Sequence, residues 1–390
     1  MPQQGQASSS GRDLRLDFFR GLALVCIFID HIPENYLSAF TLSAIAFSDA
    51  AEVFIFISGF TAALVYGRAL AVRGPLVASV LVLRRAWQLY VAHIFLFVIF
   101  IAEVSYTVRT FNNPMYNEEM GVGDFLEHPH IAVVQALALQ FQPTFLDILP
   151  LYIVLLLMFP AILLGLRWRV WAVLAPSALL YLAVQLFGLE TPAYPAGSVW
   201  TFNPLAWQFL FVLGAALGYG RAGTEGRARL VQIAFWPALA IAAAALVIRI
   251  SWALHGSWEA VPALLLRQLW PVNKSSLSPI RLVSFFALVV LVARWVAPQA
   301  AFLRAAAARP LVLCGRHSLE IFCLSILLSA LGHFLMSEFA AGLTMQVAVN
   351  VVGIATMCLT AAMLDWYRAM QSMPAAPNAR AASEGSGGEG

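Results

Sequence analysis

Charge is scarce in this chain. Of its 390 residues only 11% are Asp, Glu, Lys or Arg, 61% are apolar, and the mean hydropathy is +0.80. A soluble globular domain carries about a quarter charged and about half apolar residues, so that class is excluded. The formal net charge of +3 is too small to point to nucleic acid, and no such partner is expected. Cysteine is scarce too. Cys26, Cys314, Cys323 and Cys358 all fall inside apolar runs, with no CxxC or Cys/His spacing. That argues against a disulfide framework and against a metal site; the thiols read as small buried hydrophobes. The opening "MPQQGQASSSGRDLRLD" lacks a charged stretch running into a short apolar core, so no signal peptide is expected.

Long apolar runs fill the space that charge leaves. Windows of about 20 apolar residues lie near 17–37, 50–70, 84–105, 145–165, 169–188, 203–220, 231–253, 281–298, 311–335 and 343–366. The expected fold is all-α, a polytopic membrane helix bundle of about ten transmembrane helices in the lipid bilayer. One transmembrane domain is expected over 14–370, between a disordered N-terminus (1–13) and a disordered tail (371–390).

An even number of spans puts both termini on one side, and arginine chooses which. Connections on the N-terminal side hold Arg68, Arg73, Arg84, Arg85, Arg167, Arg169, Arg221, Arg227, Arg229, Arg294, Arg304 and Arg309, joined by Arg12, Arg15, Arg368 and Arg380 from the tails. The opposite side holds Arg109, Arg267, Lys274 and Arg281. Sixteen against four is a positive-inside bias that makes both termini cytoplasmic. The outer side then carries two long connections, about 106–144 and 254–280; loops longer than about 12–15 residues are often functional. Tyr106, Tyr116, Tyr194, Trp200, Trp258 and Trp270 gather there, either as an interfacial belt or as a platform on which sugar rings stack.

The first window, "RGLALVCIFIDHIP", has ionisable groups that a purely lipid-facing span does not need. Arg20 and His31 are eleven positions apart, so they share one helical stripe with an offset of about 20° and are separated by roughly 16 Å along the axis. Asp30 lies about 100° from His31. A charge at mid-membrane costs about 2.5–3.5 kcal/mol even on lenient scales, so such groups usually face the bundle interior or a wet cavity. The next window, "SDAAEVFIFISGF", places Asp49 and Glu52 before an apolar run in which Ser58 and Gly59 permit close packing. Glu52 enters from the end at which His31 sits. A carboxylate on one imidazole nitrogen would raise the basicity of the other, which is the geometry of a general base. The candidate catalytic set is therefore His31, Glu52 and Asp30.

"DLRLDFFRGLALVCIFIDHIP" followed by "FSDAAEVFIFISGFTAALVYG" resembles the opening of the OpgC family, membrane enzymes that succinylate osmoregulated periplasmic glucans. The likeness continues through "FLDILPLYIVLLL", "NPLAWQFLFVLGAALGYG", "NKSSLSPIRLVSFFALV" and "CGRHSLEIFCLSILL". More distantly the chain is similar to the membrane acyltransferase-3 superfamily. There an Arg-x10-His helix precedes one ending in S-G-F; Arg20 and His31 match the first, and Glu52, Ser58, Gly59 and Phe60 the second. Gln88 stands where a further arginine is usual, and Ser325 near a usual histidine.

The resemblance implies transfer of an acyl group, succinyl in this family, from cytoplasmic acyl-CoA to hydroxyls of a periplasmic glucan, in a bacterial inner membrane. Succinyl-CoA would be a co-substrate; no bound cofactor and no metal are implied. Arg84 and Arg85, with Arg73 and Arg15 nearby, are candidates for the CoA phosphates. Arg20, Arg316 and Arg249 are candidates for the carboxylate of a dicarboxylic acyl group. Asp147, Asn203, Gln208 and Lys274 are candidates for the acceptor side, and His93 and His317 are secondary histidines. Direct transfer and an acyl-histidine intermediate both fit. A secondary transporter of glucan or organic anion would use the same intramembrane Asp, His and Arg, although no internal repeat relates the two halves.

Overall fold

The computed structural model describes residues 13–113, 115–220, 224–254, 261–262, 265, 272–339 and 342–371. The tails expected to be disordered fall almost entirely outside these residues, as do Arg12, Arg221, Arg267, Trp258, Trp270 and Arg380. The described chain is helical, with isolated β-bridges in place of named strands. Helix α1 (Leu14–Asp30) begins on the Asp13 side chain, which accepts from the Arg15 amide, and ends at His31, whose N–H reaches the Ile27 carbonyl. A 3-10 turn (Tyr36–Phe40) and a short helix (Leu42–Ile45) lead to α2 (Ala50–Phe111). There follow α3 (Ile148–Trp168), α4 (Trp171–Phe187), α5 (Pro204–Gly218), α6 (Thr224–Ala253) and α7 (Pro279–Trp295). The last three are α8 (Arg309–Arg316), α9 (Ser318–Glu338) and α10 (Leu343–Gln371).

Five helical stretches among the described residues are long and apolar enough to cross a membrane: Ala50–Phe111, Ile148–Trp168, Ala228–Ala253, Ser318–Glu338 and Leu343–Gln371. Each of the ten apolar windows contains helix, but α1, α4, α5 and α7 are shorter elements. Two expected boundaries are corrected. The chain between the second and third windows is helical on both sides of a break at Gly74 (φ +81°, ψ 174°), ahead of Pro75, so α2 is two helices that meet there, the second window running on to Arg73 and the third starting early, at Pro75. Glycine alone takes that φ without strain, and proline removes a helical donor. The ninth window is broken at His317, where α8 hands over to α9. The outer connection 106–144 also carries structure, three short helices at Met115–Glu119, Gly123–Glu127 and Pro129–Leu137.

Small residues let the central helices touch. A Cβ on Gly21 of α1 would collide with the Leu311 carbonyl of α8, and one on Gly315 with the Asp17 carbonyl. Lipid supplies no hydrophobic drive between helices, so backbone approach of this kind gives van der Waals contact and holds the bundle. Leu24 and Phe28 of α1, Ile55 of α2, Trp207 and Phe211 of α5 and Ile321 of α9 are fully buried in the core. By contrast α6 shows Leu230, Ile233 and Trp236 on its exterior, as a lipid-facing helix should.

Candidate active site

Two cavities open at opposite ends of α1. The smaller, about 330 Å³, lies at its C-terminal end. Asp30, His31, Asp49, Asp147, Phe202 and Lys274 are among the residues that line it. The imidazole of His31 stacks on Phe145, with ring centroids 4.5 Å apart and planes 29° apart. Its Nδ1 is buried without a hydrogen bond. Phe145 has φ +74°, a conformation that bulky side chains rarely adopt and that the surrounding structure has to enforce.

An ion lattice forms part of the cavity wall and continues behind it. Asp49 caps α2 in a capping box: its carboxylate accepts from Ala51 N–H (2.8 Å), and Glu52 accepts from Asp49 N–H (2.8 Å). Asp49 also meets Lys274 Nζ at 2.9 Å and Arg281 at 3.0 Å, while Glu52 takes the Arg281 Nε–H at 2.7 Å. Glu52 is completely buried. Burial by itself would raise the Asp49 carboxyl, but Lys274 and Arg281 outweigh it and hold Asp49 below the usual carboxylate range. For Lys274, burial works downward and is overcome by Asp49, so the ammonium is held above its ordinary value. Asp147, at the head of α3, is raised by burial, with Lys274 opposing.

The lysine is held by its backbone as well. Trp207 Nε1 donates to the Lys274 carbonyl (3.0 Å), Gln185 to that of Ser276 (2.7 Å) and the Tyr181 hydroxyl to that of Leu277 (2.9 Å). Its ammonium lies 5.1 Å from the Phe202 ring centroid. Asp30 accepts from the Thr41 hydroxyl at 2.7 Å.

This geometry corrects the expected orienter. Neither Glu52 nor Asp30 bonds the imidazole: the first is taken by Arg281 and the capping box, the second by Thr41. Packing on Phe145 holds the ring instead. Of the four acceptor candidates, Asp147 and Lys274 line the cavity. Asn203 and Gln208 are committed to helix packing. Asn203 caps α5 and donates to the Leu189 carbonyl; Gln208 exchanges hydrogen bonds with Ser177. Of the aromatics expected on the outer surface, Tyr116 and Trp200 are buried, and Tyr116 donates to Glu338 at 2.6 Å.

The larger cavity, about 680 Å³, lies at the N-terminal end of α1. Arg15, Arg20, Arg68 and Arg85 line it together with Asp13, Asp17 and Tyr66. Arg20 donates to the Thr61 hydroxyl at 2.8 Å. Arg84 is an exposed residue of α2 and does not line this cavity. Arg316 is paired with Asp365 of α10 at 2.8 Å, and Arg249 donates to the Ser43 carbonyl. His317 lies 3.6 Å from Asp365, and His93 is buried with no partner for either ring nitrogen. One side chain, Phe322 of α9, lines both cavities.

Arg281 and Phe145 were not foreseen as site residues. Arg281 carried one signal, a cation three residues into an apolar helix on the side that the charge bias leaves poor in arginine.

A family model described as OpgC protein matches residues 12–369. The chain belongs to the OpgC family. The OpgC match takes in every residue that lines either cavity and the whole ion lattice. No curated protein matches the chain.

Proposed function

We propose that this OpgC-family protein is an integral-membrane O-acyltransferase, which moves a succinyl group from cytoplasmic succinyl-CoA to hydroxyls of a periplasmic glucan. The observation that carries the reading is the placement of His31 in one cavity while a second, arginine-rich cavity opens at the other end of the same helix. Counting the windows as ten spans puts both termini and the arginine-rich cavity on the cytoplasmic face, by the positive-inside rule. The multi-pass bundle then belongs in an inner membrane, with the His31 cavity facing the periplasm.

The chemistry divides along α1. In the inner cavity Arg15, Arg20, Arg68 and Arg85 would hold the CoA phosphates through charge-assisted hydrogen bonds. The outer cavity would take the sugar, with Asp30 and Asp147 as hydrogen-bond partners for its hydroxyls. His31 Nε2 removes the proton of one hydroxyl as that oxygen attacks the thioester carbonyl. The new C–O ester forms, the C–S bond breaks, and the proton on His31 passes to the departing CoA thiolate. Glu52 contributes indirectly, by holding Arg281 and with it the Asp49–Lys274 pair at the cavity wall.

Arg20 fits the CoA better than the acyl carboxylate. It stands eleven residues from His31, roughly 16 Å along the helix, farther than a four-carbon acyl chain reaches from a carbonyl at the imidazole. Lys274, the cation that lines the outer cavity, is the better partner for that carboxylate.

The test is reconstitution. Purified protein given succinyl-CoA and a periplasmic glucan should release free CoA and leave the glucan with the mass of added succinyl groups. Flux of glucan or succinate across proteoliposomes with no CoA release would replace the reading with a transporter.

A further inference from the structure

The two cavities are separated by very little protein. Phe322 borders both. Leu149 faces the larger cavity and its neighbour Ile148 the smaller; Phe54 faces the larger, and Ala51, one helical turn earlier, the smaller. Phe322 is 1% exposed, and its ring lies 6.0 Å from that of Phe54. Phe54 in turn meets Tyr152 edge-on, also at 6.0 Å.

Such a ring is unlike a core phenylalanine. In a close-packed interior a side chain has nowhere to turn, but Phe322, though buried, contributes to the walls of two cavities. One turn further along α9 its neighbour is Ser325, a small side chain folded back on the Phe322 carbonyl at 2.8 Å. A bundle with wet crevices from both faces also needs an apolar constriction between them, because hydrophobic narrowings keep water and ions from passing.

We propose that Phe322 is the partition between the two cavities, closed at rest and displaced when the thioester arm of the donor passes from the arginine-lined side to His31. The passage of a donor rests on the acyltransferase reading; the partition itself does not. It would stand as a barrier in any protein with this pair of cavities.

The test therefore reads accessibility before activity. Ser43→Cys puts a thiol in the outer cavity, and Arg68→Cys, made separately, marks the inner one. Each is reconstituted in vesicles and exposed to a charged, membrane-impermeant methanethiosulfonate on one face at a time, with labelling read by mass spectrometry. With Phe322 present, the outer-cavity thiol should be labelled from the face opposite to the one that labels the inner-cavity thiol. From the inner thiol's own face it should react at least tenfold more slowly. Phe322→Ala should remove most of that difference, and Phe322→Trp should preserve it. Phe322→Leu, a smaller apolar plug, should fall between and serves where the alanine variant does not fold.

Equal labelling of the outer-cavity thiol from both faces, with Phe322 in place, would show that no partition exists. An unchanged ratio in both the alanine and leucine variants would show that Phe322 is not the partition. In the acyl-transfer assay Phe322→Trp should cut transfer more than tenfold while acyl-CoA still binds, and Phe322→Ala should speed hydrolysis of acyl-CoA without acceptor. The expected labelling pattern with no CoA release from any variant would support the partition and overturn the acyltransferase reading.

Discussion

The two ends of α1 handle charge in opposite ways. At the outer end the acids outnumber the base among the lining residues: Asp30, Asp49 and Asp147 against Lys274. Asp49 is locked to cations, and Asp30 to a hydroxyl. At the inner end Arg15, Arg20, Arg68 and Arg85 outnumber Asp13 and Asp17. A lining with surplus acceptors and a fixed ammonium suits a neutral, hydroxyl-rich ligand. One with surplus guanidinium suits a polyanion, since planar donor forks match phosphate. The same helix thus has one end suited to hydroxyls and one suited to a polyanion, as the proposed transfer requires.

The sharpest way to break this contrast is to remove the imidazole. His31→Ala should lower acyl transfer by about 10²–10⁴-fold, the range typical of a general base, while acyl-CoA affinity and the thermal midpoint stay near those of the parent. Isothermal binding beside a CoA-release assay separates the two ends; loss of CoA binding would mean that they are not independent.

The lattice behind the outer cavity should respond in stability first. Glu52→Gln leaves Arg281 with only Asp49, and breaking a buried ion pair by removing one partner typically costs about 3–5 kcal/mol. Glu52→Leu combined with Arg281→Met should recover much of that loss, because exchanging a buried pair for apolar residues is often neutral. Denaturation in detergent checks both. The Asp49–Lys274 pair adds a pH signature. Asp49 is held low, so its contribution is present above the ordinary carboxylate pKa and is lost as pH falls through the lowered value. Lys274 is held high, so its contribution is present below the ordinary ammonium pKa and is lost as pH rises through the raised value. The stability gap between parent and Asp49→Asn should accordingly shrink at acid pH, as Asp49 takes up a proton, and at alkaline pH, as Lys274 loses one.

Periodicity carried the reading where the relevant neighbours are close in sequence. The Arg20–His31 stripe needed only the helical repeat, and the helix does place the two at different cavities. Asn203 before Pro204 and Asp49 three residues before Glu52 are helix-start patterns visible in the letters, and both cap helices in the fold. The second pattern also invites a chemical reading, because it lies beside an apolar run, and that reading gives the Glu52 carboxylate to His31. Its actual partner, Arg281, stands 229 residues away, and no local pattern relates them. The helix ends at Gly74 are hidden for a different reason. Glycine before proline marks a break, and the backbone does break there, but how far helix runs on either side of it does not show in the apolar windows.

The smallest expected effect concerns the inner end alone. Arg85 lines the larger cavity, and its guanidinium lies near Gln88 at 3.4 Å, at the limit for a hydrogen bond. It is partly exposed and lies outside the ion lattice, so Arg85→Gln should leave folding within about 0.5 kcal/mol of the parent, as surface substitutions usually do. Losing a hydrogen bond to a charged phosphate costs about 1.5–3 kcal/mol; solvent screening at an open cavity mouth places the effect near the lower end, a rise of about tenfold in KM for acyl-CoA. The turnover rate at saturating donor should not change, because a contact made equally in ground and transition states alters binding and not kcat. Arg84→Gln, on an exposed residue of the same helix that does not reach the cavity, is the control and should leave KM unaltered. A tenfold rise for Arg84→Gln with none for Arg85→Gln would mean that the phosphates lie outside the cavity, and the polyanion side of the contrast would have to be redrawn on the exposed face of α2.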